Sequence, residues 1–98
     1  MSLNAFEFEV LGRAVSDYEA VHTIRADIAR DLGRVIEVEE VIAAFVSLTR
    51  ASLLDAFKFD QAKSSYCRVS IESGDATGLW FLANANGISR LENNESND

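Results

Sequence analysis

The stretch Val35–Leu54, VIEVEEVIAAFVSLTRASLL, decides the fold. Val38, Val41, Ile42, Phe45, Leu48 and Thr49 recur at the three-then-four spacing of a buried helical face. At Leu53 the rhythm changes to LLDAFKFD, in which Leu53, Asp55, Phe57 and Phe59 alternate with Leu54, Ala56, Lys58 and Asp60. The pattern predicts one helix that ends on the small pair Ala51–Ser52 and turns directly into a strand.

Upstream, Leu3, Phe6, Val10 and Ala14 place a first helix over Leu3–Ala14, with Phe8 and Leu11 widening its apolar stripe. Ser16 with Glu19 fits the Ser-x-x-Glu capping box of a second helix over Asp17–Leu32. Its inward stripe is Tyr18, Val21, Ile24, Ile28 and Leu32, and Gly33 is placed to end it at C′. Downstream, the polar segment Asp60–Ser65 reads as a turn and Tyr66–Ile71 as a second strand. A turn around Gly74 follows, then an apolar strand over Gly78–Ala83. Asn84 is placed to cap a short closing helix, Ala85–Leu91. The expected organisation is one α+β domain over 1–91 with a disordered acidic tail at 92–98.

Composition narrows the function classes. The chain has 98 residues, 48% of them hydrophobic, enough for one core without disulfides or metal. The single Cys67 has no partner within the chain, no leader pattern opens the sequence, and no apolar run has the length of a bilayer span. A cytoplasmic protein without membrane contact is the expectation. Net charge is −7, and with Glu92, Glu95 and Asp98 set aside acids still outnumber bases 13 to 9. That balance opposes nonspecific nucleic-acid binding, which depends on neutralising phosphates.

Motifs for chemistry are sparse. His22 is the only histidine and has no nucleophile beside it in the sequence; it is expected at the edge of the buried face of the second helix. His22 and Cys67 lack metal-ligand spacing. Gly74 and Gly78 have neither the Lys-Ser/Thr nor the helix of a phosphate loop. No catalytic residue, cofactor or metal is implied.

The order helix, helix, helix, strand, hairpin, strand, short helix resembles the winged helix-turn-helix domains. Two runs carry the likeness. VEEVIAAFVSLTRASLLDAFKFD (Val38–Asp60) is similar to the third helix and following strand of that superfamily. LWFLANANG (Leu79–Gly87) is similar to its last wing strand and closing helix, with Asn84 in the capping position and Gly87 as the glycine. The resemblance implies DNA binding, with the helix at 37–52 in the major groove and a wing at 58–77 on the backbone; Arg50, Lys58, Lys63 and Arg68 would be the contacts. Against it, Glu37, Glu39 and Glu40 crowd the helix start, where they suit the helix dipole and repel phosphates. Winged helices also serve as protein-interaction modules. The reading that joins these observations is a non-enzymatic winged-helix module acting through protein contacts, as a homodimer or with a protein partner. Its interface candidates are Phe8, Leu11 and Trp80. Trp80 and Phe81 point to opposite strand faces, so one belongs to the core and the other lies under the closing helix or at an interface.

Overall fold

The computed structural model describes residues 2–73 and 75–96. Helix α1 is Ala5–Arg13, strand β1 Glu19–Ala20, α2 Val21–Leu32, α3 Val38–Arg50, β2 Leu54–Asp60, β3 Ser65–Val69, β4 Trp80–Ala83 and α4 Ala85–Ser96. Two 3₁₀ turns, Ile71–Ser73 and Ala76–Gly78, lie between β3 and β4. The strands form one antiparallel sheet in the order β1-β4-β2-β3. The α+β class expected from the sequence is present: four helices and a four-stranded sheet.

Each helix has a local cause. In α1, the Asn4 side chain accepts from the Glu7 amide and the Glu7 side chain accepts from the Asn4 amide, a reciprocal capping box. Helix α2 ends on Gly33 at φ 66°, whose amide reaches Ala29 O at 2.9 Å, as its C′ placement predicts. Helix α3 ends in a Schellman turn. The Leu53 amide bonds Leu48 O and the Ser52 amide bonds Thr49 O, both at 3.0 Å, with Ser52 left-handed at φ 63°. The serine occupies a position that glycine usually fills.

That turn seats the last helix. Asn84 accepts from the Gly87 amide through its side-chain oxygen, which caps α4, and its Nδ2 donates to Ser52 O at 3.0 Å. Asn86 Nδ2 donates to the same carbonyl at 3.3 Å. Gly87 has no room for a side chain: a Cβ there would collide with the Leu53 carbonyl and sit 3.1 Å from Leu11 Cδ1.

The core lies between the helices and one face of the sheet. Val10, Leu11, Ile24, Ile28, Val41, Phe45, Leu48, Leu54 and Phe81 are fully or almost fully buried. Phe45 of α3 stacks on Phe81 of β4, with centroids 4.1 Å apart and rings 6° from parallel. The remaining ties are polar. Arg13 Nη2 bridges Glu9 at 2.6 Å and Asp31 at 2.8 Å, linking the ends of α1 and α2. This hydrogen bond holds the Asp31 carboxyl below the ordinary range.

Several sequence expectations are corrected. Ser16 and Glu19 do not form a capping box; α2 starts at Val21, and Glu19 lies in β1 opposite Phe81. Tyr18 therefore belongs to no helix, and Leu32, expected inward, is 51% exposed at the end of α2. His22 is exposed. Strand β3 stops at Val69 rather than Ile71. Helix α4 runs on to Ser96, so the backbone of 92–96 is helical where a frayed tail is expected. The turn expected around Gly74 and the final two residues of the tail lie outside the described residues.

Replacing Gly87 with alanine is expected to cost about 2 kcal/mol, because the Leu53 backbone must move. Thermal unfolding should show Tm lowered by roughly 10 °C. Ser52→Gly acts in the opposite direction and should add about 0.5–1 kcal/mol by relieving the left-handed backbone.

Glu19 sets a second expectation. Burial, then the neighbouring charges of Asp27 and Asp17, raise its carboxyl above the ordinary range. The folded state therefore holds the proton more tightly than the unfolded chain, and ionisation costs stability. The cost is full above the folded value, shrinks as pH falls through it, and is gone below the unfolded value. Glu19→Gln should raise Tm at about pH 7 and make no difference near about pH 3.5, below an unperturbed glutamate. Paired thermal melts at the two pH values check this.

Candidate functional site

The strand alternation assigns two unlike faces to the sheet. Directly opposed residues share a face, so Leu54, Ala56, Val69, Phe81 and Ala83 look toward the helices. Phe57, Phe59, Tyr66, Arg68, Trp80 and Leu82 look the other way. On β2 the side packed by helices carries Ala56 where the open side carries Phe57 and Phe59.

Five aromatic rings form a continuous layer on that open face. Tyr18, just before β1, stacks on Tyr66 with centroids 3.8 Å apart and rings 10° from parallel. The edge of Phe57 meets Tyr18 at 5.0 Å. Tyr66 also contacts Phe59 at 5.1 Å and Trp80 at 5.7 Å, both edge-on. These are favourable ring geometries, and the rings cover one another partly without being enclosed. Phe59 stays 42% exposed.

The layer ends in a polar corner. Arg68 Nη2 pairs with Asp55 at 3.0 Å, and Asn84 Nδ2 donates to the same carboxylate oxygen at 3.3 Å. Beyond it lies a hollow of about 610 Å³ where the C-terminal end of α3, the β2–β3 pair and the start of α4 converge. Arg50, Arg68, Asp55, Glu72 and Asn86 line it. Arg50 pairs with Glu72 at 3.4 Å. Glu72 also accepts from Ser70 Oγ at 2.7 Å, which, ahead of its own backbone amide and Arg50, draws its carboxyl below the ordinary range. The hollow holds cations and anions in balance.

The sequence-derived candidates divide. Trp80 lies on the open face against Tyr66, not in the core, while Phe81 fills the core. Phe8 is half-buried on α1. Leu11 is corrected: it is fully buried against α4 and presents no surface to a partner. Among the basic residues, Arg50 and Arg68 share the hollow. Lys58 is opposite Cys67 on the other face of the hairpin, and Lys63 sits in the hairpin turn beside Asp60. The four bases do not gather on one surface. Tyr18, Phe57, Phe59 and Tyr66 were not singled out by the sequence. The period-two spacing of Phe57 and Phe59 is visible in the sequence, but only the burial of Leu54, Ala56 and Phe81 shows that the core lies on the opposite face.

Among the described residues, no group of three or more His, Cys, Asp and Glu side chains is arranged to hold a metal ion. No helix among them is long and apolar enough to cross a membrane. No family model matches the sequence, and neither a curated protein nor a solved structure matches it.

The ring contacts rank the layer energetically. Tyr66 touches three rings and Phe59 one. Tyr66→Ala should cost about 2–3 kcal/mol and Phe59→Ala about 1 kcal/mol in urea unfolding of dilute protein. Equal costs would mean that Tyr66 is not the hub of the layer.

Proposed function

We propose that this protein is a small, non-enzymatic winged-helix module that acts through protein–protein contacts made by the aromatic face of its sheet. The observation that carries the reading is the five-ring layer on the sheet face opposite the core, where Phe59 is exposed and Tyr18, Phe57, Tyr66 and Trp80 are half-buried. Large apolar layers open to solvent mark contact surfaces in soluble domains. The winged-helix element of the proposal rests on the order of helices and hairpin and on the Val38–Asp60 and Leu79–Gly87 runs.

Electrostatics favours a protein over DNA. Glu37, Glu39 and Glu40 are exposed at the start of α3, where a reading helix would meet phosphates. Arg50 and Arg68 each carry a carboxylate partner, and Lys58 and Arg68 sit on opposite faces of the hairpin. Single-stranded nucleic acid is also a poor fit. Bases stack on available ring faces, and the facing sides of Tyr18 and Tyr66 already cover each other.

Titration with mixed-sequence DNA, followed by fluorescence anisotropy at ~20 mM and ~150 mM salt, tests this. No binding is expected even at the lower salt. Tight binding that weakens steeply with salt would overturn the reading in favour of a DNA-binding regulator.

A further inference from the structure

We propose that the open sheet face is covered by the same face of a second copy of this chain, sheet against sheet across a two-fold axis. The inference rests on the protein-contact reading and names the partner. Two observations support it, the charge of the face and the state of its rings, and the extent of the face sets the strength of the contact.

The extent follows from the strands. The strands are unequal, with two residues in β1, four in β4, seven in β2 and five in β3, so at ~3.4 Å per residue and ~4.8 Å per strand the sheet covers roughly 300 Å². Two copies would bury on the order of 600 Å² of sheet together with the side chains that border it, below the ~1,200 Å² of a standard specific interface, so the contact is weak. A dimer of this size forms reversibly and comes apart on dilution.

The charge of the face differs from that of the molecule. The chain carries −7, yet the charged strand residues on this face are Asp55 and Arg68, bound to each other. Two acidic copies therefore meet here without the repulsion they meet elsewhere. One anion and one cation side by side also complement themselves under two-fold rotation. Arg68, with its side chain 74% exposed, can reach Asp55 of the second copy while its own Asp55 receives the reciprocal arginine. A strongly basic or acidic partner finds no excess charge on this face to select it.

The rings are ordered before contact. Tyr66 is held by Tyr18, Phe59 and Trp80, so little side-chain freedom remains to be lost. Opposed sheets pack at about 10 Å, a gap that an aromatic layer from each side fills. The helices then lie outside both sheets, and Phe59 becomes enclosed.

Trp80 is the only tryptophan and lies within this layer, so its emission reports on the contact directly. Sedimentation velocity from ~1 to ~200 µM is expected to show the 10.8 kDa monomer giving way to a species of twice that mass. Trp80 emission should move to shorter wavelength over the same range. Phe59→Ser and Arg68→Glu should each raise the dimer dissociation constant about tenfold or more. Both side chains are exposed, so far-UV circular dichroism of the dilute variants should match the parent. A protein that stays monomeric throughout overturns the inference. So does a dimer that leaves Trp80 emission unmoved or tolerates both variants, which would place the contact elsewhere, as at the edge of β3. Either failure concerns the second copy alone; the protein-contact reading stands or falls with the DNA titration.

Discussion

The backbone carbonyls of Ser52 and Leu53 are the point on which the rest of the molecule turns. The Schellman turn directs the chain out of α3 and into β2, and its carbonyls then become the docking site for the start of α4. The Asn84 amide reaches Leu53 O at 3.3 Å, while its side chain reaches Ser52 O and caps the helix. Gly87 closes the joint because only hydrogen fits between that helix, the Leu53 carbonyl and Leu11. One local motif thus fixes three elements. It also explains why Leu11, on a distant part of the sequence, is buried.

With α1, α3 and α4 committed to one side, the sheet is free to be unlike on its two faces. Phe45 and Phe81 occupy the middle of the core, so the β2 position beside Phe81 needs only Ala56. Bulk is displaced to the other face, where Phe57 and Phe59 stand on the same strand. The β2–β3 hairpin carries this asymmetry past the helices: Lys58 and Ser65 are exposed on it, while Tyr66 is held by rings on three sides. The open layer is therefore a consequence of how the core was filled.

Local signals in the sequence transferred well to the structure. The apolar period of α3, the Gly33 terminus of α2, the small pair before β2 and the Asn84 cap all act over a few residues, and each appears where its chemistry puts it. The mistakes have equally physical causes. Ser16-x-x-Glu19 has the residues of a capping box, but pairing with Phe81 draws Glu19 into a strand, an advantage that only a distant segment supplies. The true box, Asn4 with Glu7, was concealed because the apolar stripe already begins at Leu3. Strand β1 has two residues and no period of its own. The aromatic layer depends on which face the helices choose, and alternation alone treats Phe57 and Leu54 as equivalent candidates for the interior.

Strand β1 has a bearing on how the molecule assembles. Glu19 and Ala20 pair with Phe81 and Trp80, which lie near the opposite end of the chain. Closing so long a loop for a two-residue strand gives little return against the entropy it costs. The hairpin of β2 and β3, by contrast, closes over a short turn capped by Asp60. The N-terminal strand is held less by its own two pairs than by its neighbours, since Ala14 O accepts from the Ala83 amide at 2.8 Å on one side and Val21 is fully buried on the other. Tyr18 directly precedes that strand. Its ring lies against Tyr66, so the anchoring of two residues at one edge of the sheet orders the aromatic surface toward the other.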